Sequence, residues 1–377
     1  MMLIEIHMLK NFPATNLNRD DTGAPKNCIF GGIQRGRISS QCLKRSWRTS
    51  PLFQKDMAGH LGTRTRKMPQ LVVEQLKAQG VAEEYLSVVQ KRLSGFANKS
   101  GKETDTGITS QIVIYAPEDI EAIAAMVKSV IDECGSVKAF EKKKATDLEA
   151  LVKDAADRPV SLDIALWGRM VTSTAFADVE ASMQVAHAFS TNKVIMESDF
   201  FTAMDDMIDG NEEMGSGMMG DVDYNSSCYY IYASLDTDKL KANLCHSENP
   251  EAIVKAATPS LLRSMAFTNP SGKQNTFAGH ALPSAVLVEC KEEPIPVSYA
   301  NAFVAPATAK RECDLVTDSI NKLMEQVKTT MADFPSLKTG QRFWFCTGGK
   351  LKFGEDGITD CGNFDELVQR VTEVLEQ

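Results

Sequence analysis

The stretch Arg37-Ile38-Ser39-Ser40-Gln41-Cys42-Leu43-Lys44-Arg45-Ser46-Trp47-Arg48 carries a helix start, an apolar stripe and a set of cations. Ser39 or Ser40 is a natural N-cap, because a short hydroxyl side chain can take up a free backbone N–H of the first turn. Pro51 disfavours helix at Ser50, so the spacing predicts a helix from about Gln41 to Thr49. At about 3.6 residues per turn, Lys44, Arg45 and Arg48 share one face, with Leu43 and Trp47 on the other. Such a helix can bury its apolar side and offer cations outward. Its N-terminus adds free N–H groups that favour an anion.

Upstream, Leu3 to Leu9 alternates, with Ile4, Ile6 and Met8 against Glu5 and His7. That pattern predicts a half-buried strand. His7 is expected to be packed or exposed rather than catalytic. A long loop is expected over Asn11 to Gly36, which is rich in Asn, Asp, Gly and Pro. Strand, loop and cationic helix therefore stand in that order.

The charge distribution sharpens this reading. The net charge is −9, which by itself argues against a nucleic-acid partner. Yet Thr22 to Lys55 contains no acidic residue and holds Lys26, Arg35, Arg37, Lys44, Arg45, Arg48 and Lys55. An acidic body with one concentrated basic stretch suits a protein that grips a phosphate backbone at one place. A solvated basic face is the plainer alternative.

Downstream, 52–160 reads as largely helical. Leu71 to Ala78, Glu83 to Leu93 and Asp119 to Cys134 have helical spacing, broken by a polar linker at 97–107. Ser161 to Val171 alternates like a strand, and Val179 to Phe189 reads as a helix. Tyr229 to Ala233, Ser284 to Glu289 and Arg342 to Cys346 read as strands. Leu315 to Met331 and Asn363 to Leu375 read as helices. The order is that of an α+β protein with a helical insertion. At 377 residues the chain has room for more than one structural part.

Several motifs are weighed and set aside. Gly215-Ser216-Gly217-Met218-Met219-Gly220 matches G-x-G-x-x-G, but it lacks a preceding strand and a following helix, and its flank is acidic. A hairpin tip carrying Met218 and Met219 fits better. Asp221 to Ser226 opens like a calcium loop, but it has Ser226 where Gly is needed and Tyr232 where Glu is needed. Nine cysteines are scattered without a Cys-x-x-Cys pair, so neither a disulfide framework nor a zinc site is expected. No apolar run is long enough for a membrane span, and the start is unlike a secretory signal. The reading is a cytoplasmic protein without a membrane partner or cofactor. Asp20 and Asp21 could hold a metal for phosphodiester cleavage, though such pairs usually cap turns. Phe200, Phe201, Met204, Met218 and Met219 lie where core periodicity is absent. They read as a small satellite cluster or as an apolar wedge for bases or a neighbouring subunit.

The run Leu17-Asn18-Arg19-Asp20-Asp21, then Ile29-Phe30-Gly31-Gly32, then Arg37 to Arg45, resembles the start of the CasC-type backbone subunit of the type I-E CRISPR Cascade complex. Asp163 to Leu166, Gly168-Arg169-Met170, Ala186-His187-Ala188, Phe201-Thr202-Ala203 and Ala300 to Phe303 agree with it. The resemblance covers roughly residues 3–305 and fades in 52–150 and in the tail. It implies a ferredoxin-like (RRM-like) palm with an inserted helical finger domain and a thumb hairpin. The implied division is palm over 1–51, finger over 52–160, palm again over 161–198, thumb over 199–226, and palm remainder with a C-terminal segment over 227–377.

The resemblance further implies a binding subunit rather than an enzyme. Copies stack along a guide RNA beside other Cascade subunits and present the guide for pairing with target DNA. Carried over by position, Arg19, Lys44 and Arg48 would be palm contacts to RNA, with Arg45 nearby and Lys273 in a further basic loop. Arg48 stands where a lysine is common, and either cation grips phosphate. Met170 would pack against a displaced base. Phe200, Phe201, Met204 and Met219 would be thumb positions. The alternative is a metal-dependent ribonuclease of the backbone type found in RNA-targeting effectors, with Asp20 or Asp21 in the palm loop.

Overall fold

The computed structural model describes residues 2–376 except 99, 153, 204–217, 338–339, 350 and 355–356. The chain forms two compact units. One comprises Met1–Asp56, Gln184–Asp236 and Lys255–Gln377, and the other Met57–Met183 and Thr237–Val254.

The topology of the first unit rests on four strands: Leu3–Thr15, Ala188–Ser190, Met218–Asp236 and Pro283–Lys291. In space they run fourth, first, third, second, and each neighbouring pair is antiparallel. The helix Ser40–Arg48 lies in the crossover from first to second, and the helix Pro250–Phe267 lies in the crossover from third to fourth. This is the β-α-β-β-α-β order of the ferredoxin-like fold, so the expected α+β palm is present. Gln341–Cys346 and Thr359–Asp360 extend the sheet on one side. A hairpin of Asn27–Phe30 and Ile33–Ile38 extends it on the other.

The first strand departs from expectation: it is buried on both faces. The helix Leu315–Asp333 packs Ile320, Leu323, Met324 and Val327 against the face that carries Leu9, Leu287 and Trp344. Burying each such side chain stabilises by about 1.5–3 kcal/mol. On the opposite face, the Phe345 ring meets Phe364 of the helix Phe364–Glu376, and Phe364 meets Phe267. The polar positions Glu5 and His7 are fully buried as well. Glu5 accepts from Val297 N at 2.7 Å and also contacts Tyr232 and Lys291. His7 Nδ1 lies 2.8 Å from the Tyr230 hydroxyl, and Nε2 lies 3.4 Å from Glu289. Glu289 also accepts from Arg342 Nε at 2.6 Å and Tyr299 Oη at 3.0 Å. Burial alone would raise the Glu289 carboxyl; His7, Lys291 and Arg342 outweigh it and hold the group at about 2. The alternation in the sequence is real, but its polar side meets partners instead of water.

The loop expected over Asn11 to Gly36 is also corrected. The first strand continues to Thr15, and the hairpin follows. Gly31 and Gly32 turn it with positive φ, and a Cβ on Gly31 would sit 2.4 Å from the Val304 carbonyl oxygen. Arg35, counted in the basic stretch, is fully buried. It donates to the carbonyls of Ser190, Thr191, Phe303 and Val304 at 2.6–3.2 Å. It is a structural cation out of reach of any nucleic acid.

The second unit is mostly helical. Met68–Ala78, Glu83–Leu93 and Pro117–Cys134 share a core of Val72, Leu76, Leu86, Val89, Leu93, Ile123 and Val127. The strand expected at Ser161 to Val171 is instead the helix Leu162–Trp167. All of Leu162 to Leu166 is buried, including Asp163, whose Oδ1 accepts from Gly62 N at 2.9 Å and Ser161 Oγ at 2.6 Å, so the alternation does not separate a buried face from an exposed one. The helix expected at Val179 to Phe189 is instead the strands Met183–Val185 and Ala188–Ser190. Ala188–Ser190 pairs with distant Ile38 and Tyr229, and such tertiary pairing overrides local preference. Among the described residues no helix is long and apolar enough to cross a membrane.

Candidate nucleic-acid interface

Ser39 caps the helix Ser40–Arg48: its Oγ accepts from Cys42 N at 3.4 Å. Its own N–H donates to Asn18 Oδ1 at 2.8 Å, which ties the helix entry to the loop carrying Arg19. Leu43 and Trp47 are buried, as their spacing predicts. Arg45 is exposed, while Lys44 and Arg48 are half-buried. Burial pushes the Lys44 ammonium below the ordinary lysine range, so a phosphate brought alongside would favour its charged form.

An open cleft of about 510 Å³ lies beside the helix entry. It is lined by residues 17–23, Cys42, Ser271 and Gly272. A Cβ on Gly272 would sit 2.4 Å from the Leu17 carbonyl oxygen, so this loop is pressed onto the Arg19 segment. Lys273 follows with φ of 50°, the N-cap of a short helix Gln274–Phe277. The fold thus brings Arg19, the start of the cationic helix at Cys42 and the loop before Lys273 together, while Lys44, Arg45, Arg48 and Lys273 are not among the residues that line the cleft. Arg37 is close by in sequence, but its side chain is engaged with Asn27 O at 3.1 Å and His187 Nδ1 at 3.0 Å.

Asp20 lines the same cleft. Its Oδ1 accepts from Thr22 Oγ1 at 2.7 Å, Thr22 N at 2.9 Å and Ala24 N at 3.1 Å. The Thr22 hydroxyl first, then these backbone bonds, lower the Asp20 carboxyl below its usual range. This is the turn-capping role. Among the described residues no group of three His, Cys, Asp or Glu side chains could hold a metal ion.

Where the thumb is expected, two antiparallel strands form an arm on either side of 204–217, which lie outside the described residues. Glu197–Ala203 pairs with the start of Met218–Asp236, with Phe200 opposite Asp221 and Phe201 opposite Gly220. Directly opposed residues share a face, so Phe200 and Met219 lie on one side and Phe201 and Met218 on the other. Phe200 and Met219 are 61% and 66% exposed, and Met218 is 60% exposed. Both faces of the arm therefore offer apolar surface, and Met218 joins the candidate set although the carried-over positions omit it. Gly220 leaves room for the Phe201 ring, which a Cβ would meet at 2.8 Å. Met218 to Gly220 are strand residues, which removes the helix a dinucleotide site needs. Met204 lies outside the described residues.

Met170 belongs to the second unit and is 92% exposed, the most exposed of the large apolar residues named so far.

A family model described as CT1975-like protein matches residues 4–370. The chain belongs to the CT1975-like family. No match is found among curated proteins. Among solved structures, this CT1975-like chain is similar to a chain of a "CRISPR RNA-guided surveillance complex, pre-nicking". The two are 25% identical with a TM-score of 0.81, and the match covers 99% of this chain and 100% of the other. A chain of a second "CRISPR RNA-guided surveillance complex" is 21% identical with a TM-score of 0.61, covering 99% of each. That second likeness shows the shared fold.

Proposed function

We propose that this CT1975-like chain is an RNA-gripping backbone subunit of a CRISPR surveillance complex of type I-E. Further copies of itself and other Cascade subunits assemble with it on a guide RNA, which is presented to target DNA. The observation that carries this reading is one cleft where Arg19 meets the capped start of the helix that bears Lys44, Arg45 and Arg48, and the Ser271-Gly272 loop that leads to Lys273. A phosphate backbone has the anionic, repeating chemistry that such a place can hold. The likeness along the whole chain to a surveillance-complex chain supports it.

The covered sheet bears on how RNA would be held. An RRM presents aromatic residues on an open sheet face. Here the helix Leu315–Asp333 closes that face, and Tyr230 and Phe303 are buried beneath it. Binding therefore falls to the helix, its flanking loops and the arm. In this reading the arm and Met170 meet bases by apolar contact, while the cations hold the backbone and set no sequence preference.

Replacing both Lys44 and Arg48 by Ala should abolish RNA copurification. Each single change should reduce the salt slope of RNA binding by about one unit at every sequence. Unchanged RNA content in the double variant would refute the palm assignment.

The subunit is proposed to bind without cutting; in support, one oxygen of the Asp20 carboxylate, Oδ1, is taken up by its own turn. Incubation with complementary RNA and Mg²⁺ should leave that RNA intact. Regularly spaced cuts lost on Asp20→Ala or Asp21→Ala would assign cleavage instead.

A further inference from the structure

Met170 is a large apolar side chain held almost wholly in solvent, while the residue before it is almost wholly buried. Arg169 is 6% exposed. Its backbone exchanges two hydrogen bonds with Val179, at 2.9 and 2.8 Å. Its guanidinium donates to Ala177 O at 3.1 Å and Ile114 O at 3.3 Å, and pairs with Asp119 Oδ2 at 2.5 Å. Asp119 is itself buried. Its other oxygen accepts from Arg158 at 2.9 Å, and Oδ2 also accepts from Ala116 N at 3.0 Å at the start of the helix Pro117–Cys134. On the other side of Met170, Val171 N donates to Asp178 Oδ1 at 2.8 Å. Gly168 precedes with φ of 80°, and a Cβ there would lie 2.9 Å from the Val179 carbonyl oxygen.

These bonds fix the backbone on both sides of a residue that contributes nothing to its own unit's core. A buried arginine sandwiched between carbonyls and a carboxylate is costly to assemble, and removing one partner leaves the other's charge unpaired. An exposed methionine likewise gains nothing in water. Together the two features describe a display: a rigid mount carrying an adaptable tip, whose thioether chain can shape itself to a flat apolar surface.

We propose that Arg169, Asp119 and Asp178 are positioning residues that hold Met170 at a fixed height to receive a displaced RNA base. This rests on the reading of Met170 as a base contact. The mount sets where the side chain starts, and the side chain's own rotamers complete the fit.

The test uses the assembled ribonucleoprotein with a guide RNA carrying 2-aminopurine at the displaced positions. The fluorescence of this base rises when it leaves the stack. Met170→Ala, Asp178→Ala and Arg169→Lys are compared with the unaltered protein at equal RNA content. Asp178→Ala removes the Val171 anchor from an exposed position, and so keeps the test open even if Arg169→Lys fails to fold. The expected result is that Asp178→Ala lowers the 2-aminopurine signal by about twofold or more, toward the level of Met170→Ala, with RNA retention and melting temperature unchanged. Those two unchanged readouts separate positioning from a general structural role. If Met170→Ala lowers the signal and Asp178→Ala leaves it intact, the mount is refuted while the base contact stands. If Met170→Ala itself leaves the signal intact, the base contact fails and the mount falls with it.

Discussion

Lys10 shows how a single side chain carries a pH dependence. It is buried in the first strand, with Nζ 3.2 Å from Thr268 O and 3.1 Å from Asn269 Oδ1. Burial lowers its pKa to about 7. The unfolded lysine titrates near 10.4. Between these values the unfolded chain holds a proton that the folded chain lacks, so folding stability rises with pH across that window. Below about pH 7 the ammonium is charged and the cost of burying it is fully present. Lys10→Met should therefore raise the melting temperature most near about pH 6. The gain should shrink toward about pH 10, a difference on the order of a few kcal/mol in stability. An equal gain at both ends would contradict the assignment. Depth of this kind is not written in the sequence. Arg35 and Arg45 look alike as members of one basic stretch, yet Arg35 is locked onto carbonyls from distant segments while Arg45 faces water. The alternation at Glu5 and His7 is equally legible, but not the buried partners that replace solvent there.

At the scale of elements, local punctuation was readable and distant pairing was not. The cap at Ser39, the stripe of Leu43 and Trp47 and the stop before Pro51 are all set within a few residues, and the helix Ser40–Arg48 matches the expectation closely. Glu83–Leu93 and Leu315–Asp333 follow from their own periodicity for the same reason. Val179 to Phe189 has helical residues but becomes strand, because Phe189 pairs with Arg37 and Tyr230. The hairpin after the first strand was hidden inside a polar run, although Gly31-Gly32 marked its turn. That turn supplies a direct test. Gly31→Ala would impose both a left-handed φ on alanine and a collision with the Val304 carbonyl. It should destabilise the fold by about 1–3 kcal/mol in denaturant melts. Gly32→Ala, which meets nothing within 4 Å, should cost only its backbone strain. Equal losses at the two positions would show that the Val304 contact is unimportant.

Across the whole molecule, an acidic chain with a net charge of −9 concentrates seven cations in the carboxylate-free stretch Thr22 to Lys55, and the fold sets part of that stretch beside Arg19 and the loop before Lys273. The candidate site was therefore half legible. The helix cations could be read from spacing, whereas the cleft exists only because the loop at Ser271 and Gly272 returns to Leu17. Closure of the sheet face by the helix Leu315–Asp333 was invisible to local patterns, yet it buries Tyr230 and Phe303 and leaves the apolar residues of the arm and Met170 as exposed surface. The central claim is that this chain holds guide RNA. The most direct measurement is to purify it from cells coexpressing the neighbouring genes and to sequence the RNA that accompanies it. A uniform population of short, repeat-derived RNAs in a stoichiometric multi-subunit particle is the predicted result. A monomer free of RNA, obtained with those partners present, would contradict the account.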